Sequence, residues 1–213
     1  MERTITITLE KARELYNSDN ESLKEIALQA FDKNELACNF KNITTFKKAC
    51  EALGLNHDAM SSIAENIATV SKASAAMFKL NIIKKALNLG HDLHLTKDPK
   101  GSYVYYPCNP FVAEGSTYYR SELDSGKMEV IGKIKSEGKE YRVLNKRSKT
   151  CNDAGLCNFY SLSGTATANA DLGFLGCASK EIAQHFGKYF GMLITEAKYA
   201  DMIDFEIIEN KYQ

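Results

Sequence analysis

The chain has 213 residues, of which 44% are hydrophobic and 25% are charged, and this composition is typical of a globular protein with its own core. Its 27 basic residues equal its 27 acidic residues, which argues against tight, non-specific binding to double-stranded nucleic acid or to an anionic membrane. No run of about 18 apolar residues is present, and the first residues lack the apolar segment of a signal peptide. We therefore expect a cytoplasmic protein with reduced cysteines and no membrane partner.

Residues 1–90 have the capping residues and the apolar spacing of a helical bundle. Short helices are predicted after four capping positions, because their side-chain oxygens can accept hydrogen bonds from the first free amides of a helix. These positions are Thr8, Asn20, Asp32 and Thr44 or Thr45. The second of these helices should carry an apolar face made of Leu23, Ile26, Ala27 and Phe31. Apolar residues at three- and four-residue steps then predict one long central helix from about Asp58 to Leu89.

Residues 91–213 are richer in tyrosine and glycine, and they predict a region of mixed helix and strand. A hairpin is expected because β-type runs at 127–134 and 139–144 flank the turn Ser136-Glu137-Gly138. The remaining predicted elements are strands at 102–106, within 155–174 and at 205–208, and a helix at 180–199 capped by Ser179. The sequence thus predicts an α+β fold: an N-terminal helical bundle followed by a small, mostly antiparallel β-region with a packed C-terminal helix.

Glycine patterns give no sign of a cofactor site. The sequence contains no phosphate-binding loop and no dinucleotide-binding glycine motif, so we expect no cofactor. Gly187 and Gly191 lie four residues apart inside the predicted last helix. That spacing indicates close packing of the helix against a neighbouring element such as the sheet.

Histidine and cysteine residues offer metal ligands, but their spacing matches no zinc motif. His91 and His94 form a closely spaced pair without an acidic residue in the pattern of a metallohydrolase. Cys151 and Cys157 are too far apart for a zinc knuckle. We expect no bound metal, and His91 and His94 are the candidates if one is present.

Cys177 is the candidate catalytic residue, because it precedes the predicted last helix, where the helix dipole can acidify a thiol. His185 cannot activate it, since eight residues of helix separate the two by about 12 Å. His91 or His94 would have to supply the base. The alternative is that Cys177 is a small buried residue at a tight turn before the helix.

The segment 127–149 holds eight basic residues and three acidic ones, whereas 196–209 is predominantly acidic. Tyrosines cluster beside the basic segment, and aromatic rings next to lysine or arginine can hold a nucleotide, a single strand or a sugar. Side chains alternate along a strand, so at most one of Tyr105 and Tyr106 can line a given site. The alternative is a solvated hairpin. The candidate ligand-binding residues are Tyr105, Tyr119, Lys139, Tyr141, Arg142, Lys146 and Arg147.

Five stretches of the chain form a further pattern: ITLEKARELY (7–16), ESLKEIALQAF (21–31), TFKKACEALG (45–54), YYP (105–107) and CASKEIAQHFGKYF (177–190). Together they hold 48 of the 213 residues, a little under a quarter of the chain, and they resemble small uncharacterised proteins of Bacteroidetes phages and prophages. The resemblance implies a phage or prophage setting in the cytoplasm of a bacterial host. It carries over no activity and no catalytic residue.

These features favour a non-enzymatic binding protein that presents a tyrosine, lysine and arginine β-surface to a small ligand or to a phage or host protein. One such ligand is a nucleotide signal of host immunity, which a phage would sequester as an anti-defence measure. The alternatives are a structural component of the virion and a cysteine-dependent enzyme that uses Cys177. The oligomeric state is left open, a homo-oligomer included.

Overall fold

A computed structural model of the protein describes residues 6–16, 18–37, 39–89, 105–107, 109, 111–117, 119–146, 157–158, 175–202 and 204–212. The helices are α1 (Leu9–Tyr16), α2 (Glu21–Ala30), α3 (Lys33–Ala37), α4 (Phe46–Ala52), α5 (His57–Ala68), α6 (Lys72–Leu87), α7 (Arg120–Asp124) and α8 (Lys180–Tyr199), with a 3₁₀ turn at Phe40–Asn42. The strands are β1 (Tyr105–Tyr106), β2 (Phe111–Ala113), β3 (Met128–Ser136), β4 (Lys139–Lys146), β5 (Cys157–Asn158) and β6 (Glu206–Asn210). The predicted α+β fold is confirmed, and α8 packs against both the helices and the sheet.

The predicted helix caps are present. Thr8, Asn20, Thr45 and Ser179 each accept a side-chain hydrogen bond from an amide in the first turn of the helix that follows. Before α3, the Glu35 carboxylate accepts a hydrogen bond from the Asp32 amide at 3.0 Å. Of the apolar face predicted for α2, Ala27 is buried in a small cluster shared with α1 and α3, and Phe31 packs against it. The prediction is wrong at Ile26, which is 47% exposed.

The single helix expected over 58–89 is wrong, because the chain divides it into α5 and α6 just before Ser71. Val70 is 90% exposed, so no core contact holds this stretch in a continuous helix. Ser71 has extended backbone, and its hydroxyl accepts a hydrogen bond from an amide in the next turn at 2.9 Å. The Asp201 carboxylate, from the segment after α8, accepts hydrogen bonds from the Ser71 hydroxyl and from the Ala73 amide. These acceptors satisfy the free amides of a new helix start, and α5 packs back against α6.

Strands β2, β4, β3 and β6 form an antiparallel sheet in that order. The predicted hairpin joins β3 to β4 through Glu137 and Gly138, whose φ angles of 51° and 73° suit a two-residue hairpin turn. The strand predicted near the C-terminus is β6, which pairs with β3. Strands β1 and β5 form a separate antiparallel pair.

The main hydrophobic core of the described residues joins the regions on both sides of residue 90. Its members include Ile43, Ala49, Leu80, Ile83 and Leu87 from the first region and Leu175, Ile182, Phe186, Phe190 and Ile194 from the second. Asn88 links the regions further, since its Nδ2 donates to the Gly176 carbonyl at 3.2 Å and its Oδ1 accepts from the Ala178 amide at 2.7 Å. The helical region and α8 therefore share one core.

Gly187 and Gly191 permit the close packing of α8 on the sheet that their spacing predicts. A Cβ atom at Gly191 would lie 2.4 Å from Ile131 Cδ1 and 2.7 Å from Asn109 Nδ2. A Cβ atom at Gly187 would lie 3.2 Å from Asn145 Oδ1. The two glycines thus bring the backbone of α8 directly against β3 and β4.

Candidate ligand-binding groove

A groove of about 280 Å³ opens between the N-terminal helices and the surface formed by α8 and the end of β6, and it is open to solvent on one side. One wall comes from the loop before α4 and from α4, α5 and α6. The opposite wall comes from α8 and the last residues of the described chain. The walls meet over the shared core, so the packing that joins the two regions also holds the groove in shape.

The first wall carries a phenylalanine ring with a lysine and a histidine beside it. Lys79 Nζ lies 5.9 Å from the centre of the Phe46 ring, and the centre of the His57 ring lies 5.7 Å from it. Lys47 lines the same wall. Three elements place these side chains, since Phe46 and Lys47 begin α4, His57 begins α5 and Lys79 projects from α6.

The second wall carries a tyrosine pair. The ring centres of Tyr189 and Tyr212 are 5.1 Å apart with an angle of 62° between the rings, and Lys188 Nζ lies 5.1 and 5.2 Å from the two centres. The Tyr212 hydroxyl donates a hydrogen bond to Glu129, and Lys211 Nζ lies 2.5 Å from the same carboxylate. Burial and then the interaction with Glu129 raise the pKa of Tyr212, so its hydroxyl stays protonated. These bonds fix the Tyr212 ring against the sheet.

His185 packs against Tyr189 of the second wall and contacts the loop before α4. Its Nε2 lies 2.8 Å from the Ile43 carbonyl oxygen, and its ring centre lies 4.5 Å from that of Tyr189 and 5.5 Å from that of Phe40. Burial lowers the pKa of His185, and the Ile43 hydrogen bond only partly opposes this effect. The neutral imidazole therefore donates from Nε2 to the carbonyl. This bond ties the loop before α4 to α8 and so sets the distance between the two walls.

The described walls of the groove contain two lysines and one histidine but no carboxylate. Glu196 of α8 is not among the residues that line the groove, and burial raises its pKa while Lys79 and Lys72 lower it. The groove thus presents positive charge beside aromatic rings. Because the site is partly enclosed, water screens a bound charge less there than on an open surface.

The described side chains nominated by the sequence for ligand binding are divided between the two faces of the sheet. Tyr141 packs on the cluster between the sheet and α8, which includes Met192. Arg142 follows it on β4 and so lies on the opposite face, where it donates to the Ser116 carbonyl at 3.0 Å. Tyr119 packs on a second cluster with Val112, Met128 and Leu144.

The other nominated residues lie at the margins of the described chain. Lys139 is exposed at the start of β4. Tyr105 lies in β1 and Lys146 is the last residue of β4, while Arg147 falls outside the described residues. None of the nominated residues whose side chains are described is among those that line the groove.

Strand β6 brings acidic residues beside the basic segment 127–149. The register places Lys133 of β3 opposite Glu209 of β6. Lys133 Nζ and Arg142 Nε also lie 3.9 and 3.8 Å from the Glu114 carboxylate. Charges that are separated along the sequence are thus neighbours in space.

Cys177 has the environment of a structural cysteine. It is 3% exposed within the shared core, and its thiol lies 3.4 Å from the Leu175 carbonyl oxygen. Burial raises the pKa of the thiol well above its ordinary value, so the thiolate required of a nucleophile does not form near neutral pH. The bases it would need, His91 and His94, fall outside the described residues. This environment favours a buried structural residue over a nucleophile.

His57 makes two contacts in the order found in serine hydrolases. Its Nδ1 lies 3.1 Å from Asp58 Oδ1, and its Nε2 lies 3.3 Å from Ser61 Oγ. In such enzymes a buried carboxylate orients the imidazole, whereas the Asp58 side chain is 97% exposed. Ser61 is also not among the residues that line the groove. The three residues therefore lack the buried orienting group and the access that catalysis requires.

Within the described ranges, no three or more His, Cys, Asp or Glu side chains are grouped so that they could hold a metal ion. The metal candidates His91 and His94 lie outside those ranges. None of the helices described is both long enough and apolar enough to cross a bilayer.

The groove residues could not be found from the sequence, because they come from several elements that are distant along the chain. Phe46 and Lys79 have the spacing of ordinary helix residues, and Tyr189 lies on an apolar helix face. The one local signal is a Lys-Tyr pair that occurs at 188–189, 198–199 and 211–212. Two of these three pairs lie at the second wall.

A scan against protein-family models found no match, and searches of curated proteins and of solved structures found no similar protein. The resemblance to phage proteins therefore stays a prediction from the sequence. Among the described features, the groove bears most directly on the function.

Proposed function

We propose that this protein is a non-enzymatic binding protein that holds a small organic anion in the groove between the N-terminal helices and α8. The supporting observation is that Lys47 and Lys79 share one concavity with four aromatic side chains, and that no described wall residue is a carboxylate. The four are Phe46, Tyr189, Phe190 and Tyr212. Small-molecule sites are typically concave and mostly apolar, with a few polar groups that orient the ligand, and the groove has this composition.

Binding rather than catalysis is proposed because no nucleophile with an oriented base faces the groove among the described residues. Cys177 is buried in the core, and the carboxylate beside His57 is exposed to water. A nucleotide signal of host immunity belongs to the class of anions proposed. Its sequestration would be the biological role if the phage setting expected from the sequence holds.

Isothermal titration calorimetry of the full chain with sugar phosphates and nucleoside 5′-monophosphates tests the proposal. Lys79→Gln removes one positive charge from the groove. It should weaken binding about tenfold, since a hydrogen bond to a charged group contributes roughly 1.5–3 kcal/mol. Lys85→Gln is the matched control, because Lys85 lies exposed on the same helix outside the groove wall, and it should bind like the wild type.

Two outcomes would contradict the proposal. If the protein binds none of these anions, the groove is not an anion site. If Lys79→Gln and Lys85→Gln lose affinity equally, the effect is one of overall charge, and the anion lies elsewhere.

A further inference from the structure

The two walls of the groove differ in chemistry. Lys47, His57 and Lys79 lie on the wall formed by α4, α5 and α6, beside the ring of Phe46. Tyr189 and Tyr212 lie on the opposite wall, together with Asn210, whose Oδ1 accepts a hydrogen bond from the Tyr212 amide at 3.2 Å. The first wall thus holds lysines that suit an anionic group, and the second offers tyrosine rings that suit a flat ring with polar edges.

The tyrosine pair of the second wall is already held in place. Tyr212 is fixed by its bond to Glu129, and Tyr189 is fixed by the ring of His185 beneath it. Both rings are nevertheless partly exposed, so part of each is available to a ligand. A ring that is ordered before binding loses little conformational freedom when the ligand arrives, which favours affinity.

The volume of the groove limits the size of the ligand. Sites for small molecules usually range from about 300 to 1,000 Å³, and this groove, at about 280 Å³, lies at the lower limit. A ligand with one ring system and one phosphorylated sugar fits such a volume. A second nucleotide would have to project into solvent.

We infer that the ligand is a nucleoside monophosphate, with its base against the pair Tyr189 and Tyr212 and its phosphate toward Lys47 and Lys79. The inference rests on the proposed function and names the ligand class of the same groove. The base supplies the flat ring with polar edges, and the phosphate supplies the anion. A sugar of one ring joins the two groups.

Calorimetry with four kinds of probe tests the inference: the 5′-monophosphates of adenosine, guanosine, cytidine and uridine; adenosine itself; ribose 5-phosphate; and cyclic diadenosine monophosphate. At least one 5′-monophosphate should bind about tenfold more tightly than ribose 5-phosphate, because stacking of a base on an aromatic ring contributes affinity of that order. Adenosine should bind more weakly than its 5′-monophosphate, and the cyclic dinucleotide should bind no more tightly than the mononucleotide.

Tyr212→Leu and Tyr212→Phe separate the base from the phosphate. Tyr212→Leu removes the ring, so the mononucleotide should bind this variant no more tightly than ribose 5-phosphate does. A circular dichroism spectrum like that of the wild type would show that the variant is folded. Tyr212→Phe keeps the ring and loses only the hydroxyl bond to Glu129, so it should retain most of the advantage.

The contradicting results distinguish the two proposals. If ribose 5-phosphate binds as tightly as every 5′-monophosphate, or if the cyclic dinucleotide binds more tightly than all of them, the ligand is not a nucleoside monophosphate. The proposal that the groove binds an anion is then kept. If adenosine binds as tightly as its 5′-monophosphate, or if no probe binds, the proposal that the groove binds an anion is contradicted as well.

Discussion

Replacing Gly191 with alanine should destabilise the protein, because it places a methyl group where α8 meets the sheet. The new Cβ would lie 2.4 Å from Ile131 Cδ1 and 2.7 Å from Asn109 Nδ2. Ile131 is fully buried and has no free space into which to turn. Asn109 Nδ2 donates hydrogen bonds of 3.0 Å to the carbonyls of Leu144 and Gly187. Either α8 moves away from the sheet or Asn109 gives up these bonds.

The magnitude follows from three opposing contributions. Overpacking of a core costs about 1–3 kcal/mol, and a lost hydrogen bond costs about 1 kcal/mol more. Alanine gains about 1 kcal/mol over glycine in a helix interior. The expected net loss for Gly191→Ala is about 2 kcal/mol in the free energy of unfolding.

Gly187→Ala is the matched control, because it makes the same change one turn earlier on α8. Its Cβ would lie 3.2 Å from Asn145 Oδ1 and 3.3 Å from Pro107 Cβ, contacts that small shifts relieve. The stability gained from the higher helix propensity of alanine and the stability lost through these contacts should nearly cancel. Urea unfolding followed by circular dichroism should therefore give a clearly lower midpoint for Gly191→Ala alone. A Gly191→Ala protein as stable as the wild type would refute the close packing of α8 on β3 and β4.

Two further predictions concern His185 and Cys177. Burial holds the pKa of His185 below its ordinary value of about 6.5, so the unfolded chain takes up a proton first as the pH falls. The free energy of unfolding should therefore decrease from about pH 6.5 downward through the folded pKa. As the pH is lowered, the urea midpoint should fall more for the wild type than for His185→Gln, which keeps an amide donor for Ile43 but does not titrate. Equal decreases in the two proteins would contradict this. Cys177 should resist iodoacetamide in the folded protein and react in urea, as mass spectrometry of its peptide would show, and rapid labelling of the folded protein would argue against its burial.

Features that depend on neighbouring residues were predictable from the sequence. The caps Thr8 and Ser179 act on amides within the next turn, and the turn at Glu137 and Gly138 needs only two residues that accept a positive φ. Gly191 could be read as a close-packing position because a missing side chain inside a helix has few other uses. The fold class followed from these local signals.

Features that depend on distant residues were not predictable in this way. The break before Ser71 is stabilised by Asp201, which lies 130 residues further along the chain. The spacing of apolar residues before and after the break is that of a continuous helix, so periodicity alone missed it. The sequence likewise does not reveal that β6 places Glu209 opposite Lys133 of the basic segment.

The groove, too, depends on residues that are distant from one another in the sequence. Phe46, Lys79, Tyr189 and Tyr212 come together because α6 and α8 pack through a shared core and His185 holds the loop before α4. No segment of the sequence contains this arrangement. Only the Lys-Tyr pairs at 188–189 and 211–212 mark part of it locally.

The most direct test of an anion-binding groove is a two-dimensional NMR titration of the isotopically labelled full chain with adenosine 5′-monophosphate. The groove predicts saturable shift changes concentrated at Phe46, Lys79, Tyr189 and Tyr212, with little change at Arg142 on the far face of the sheet. Shift changes confined to the β3–β4 hairpin, with none at the groove residues, would contradict the assignment and return the site to the strands.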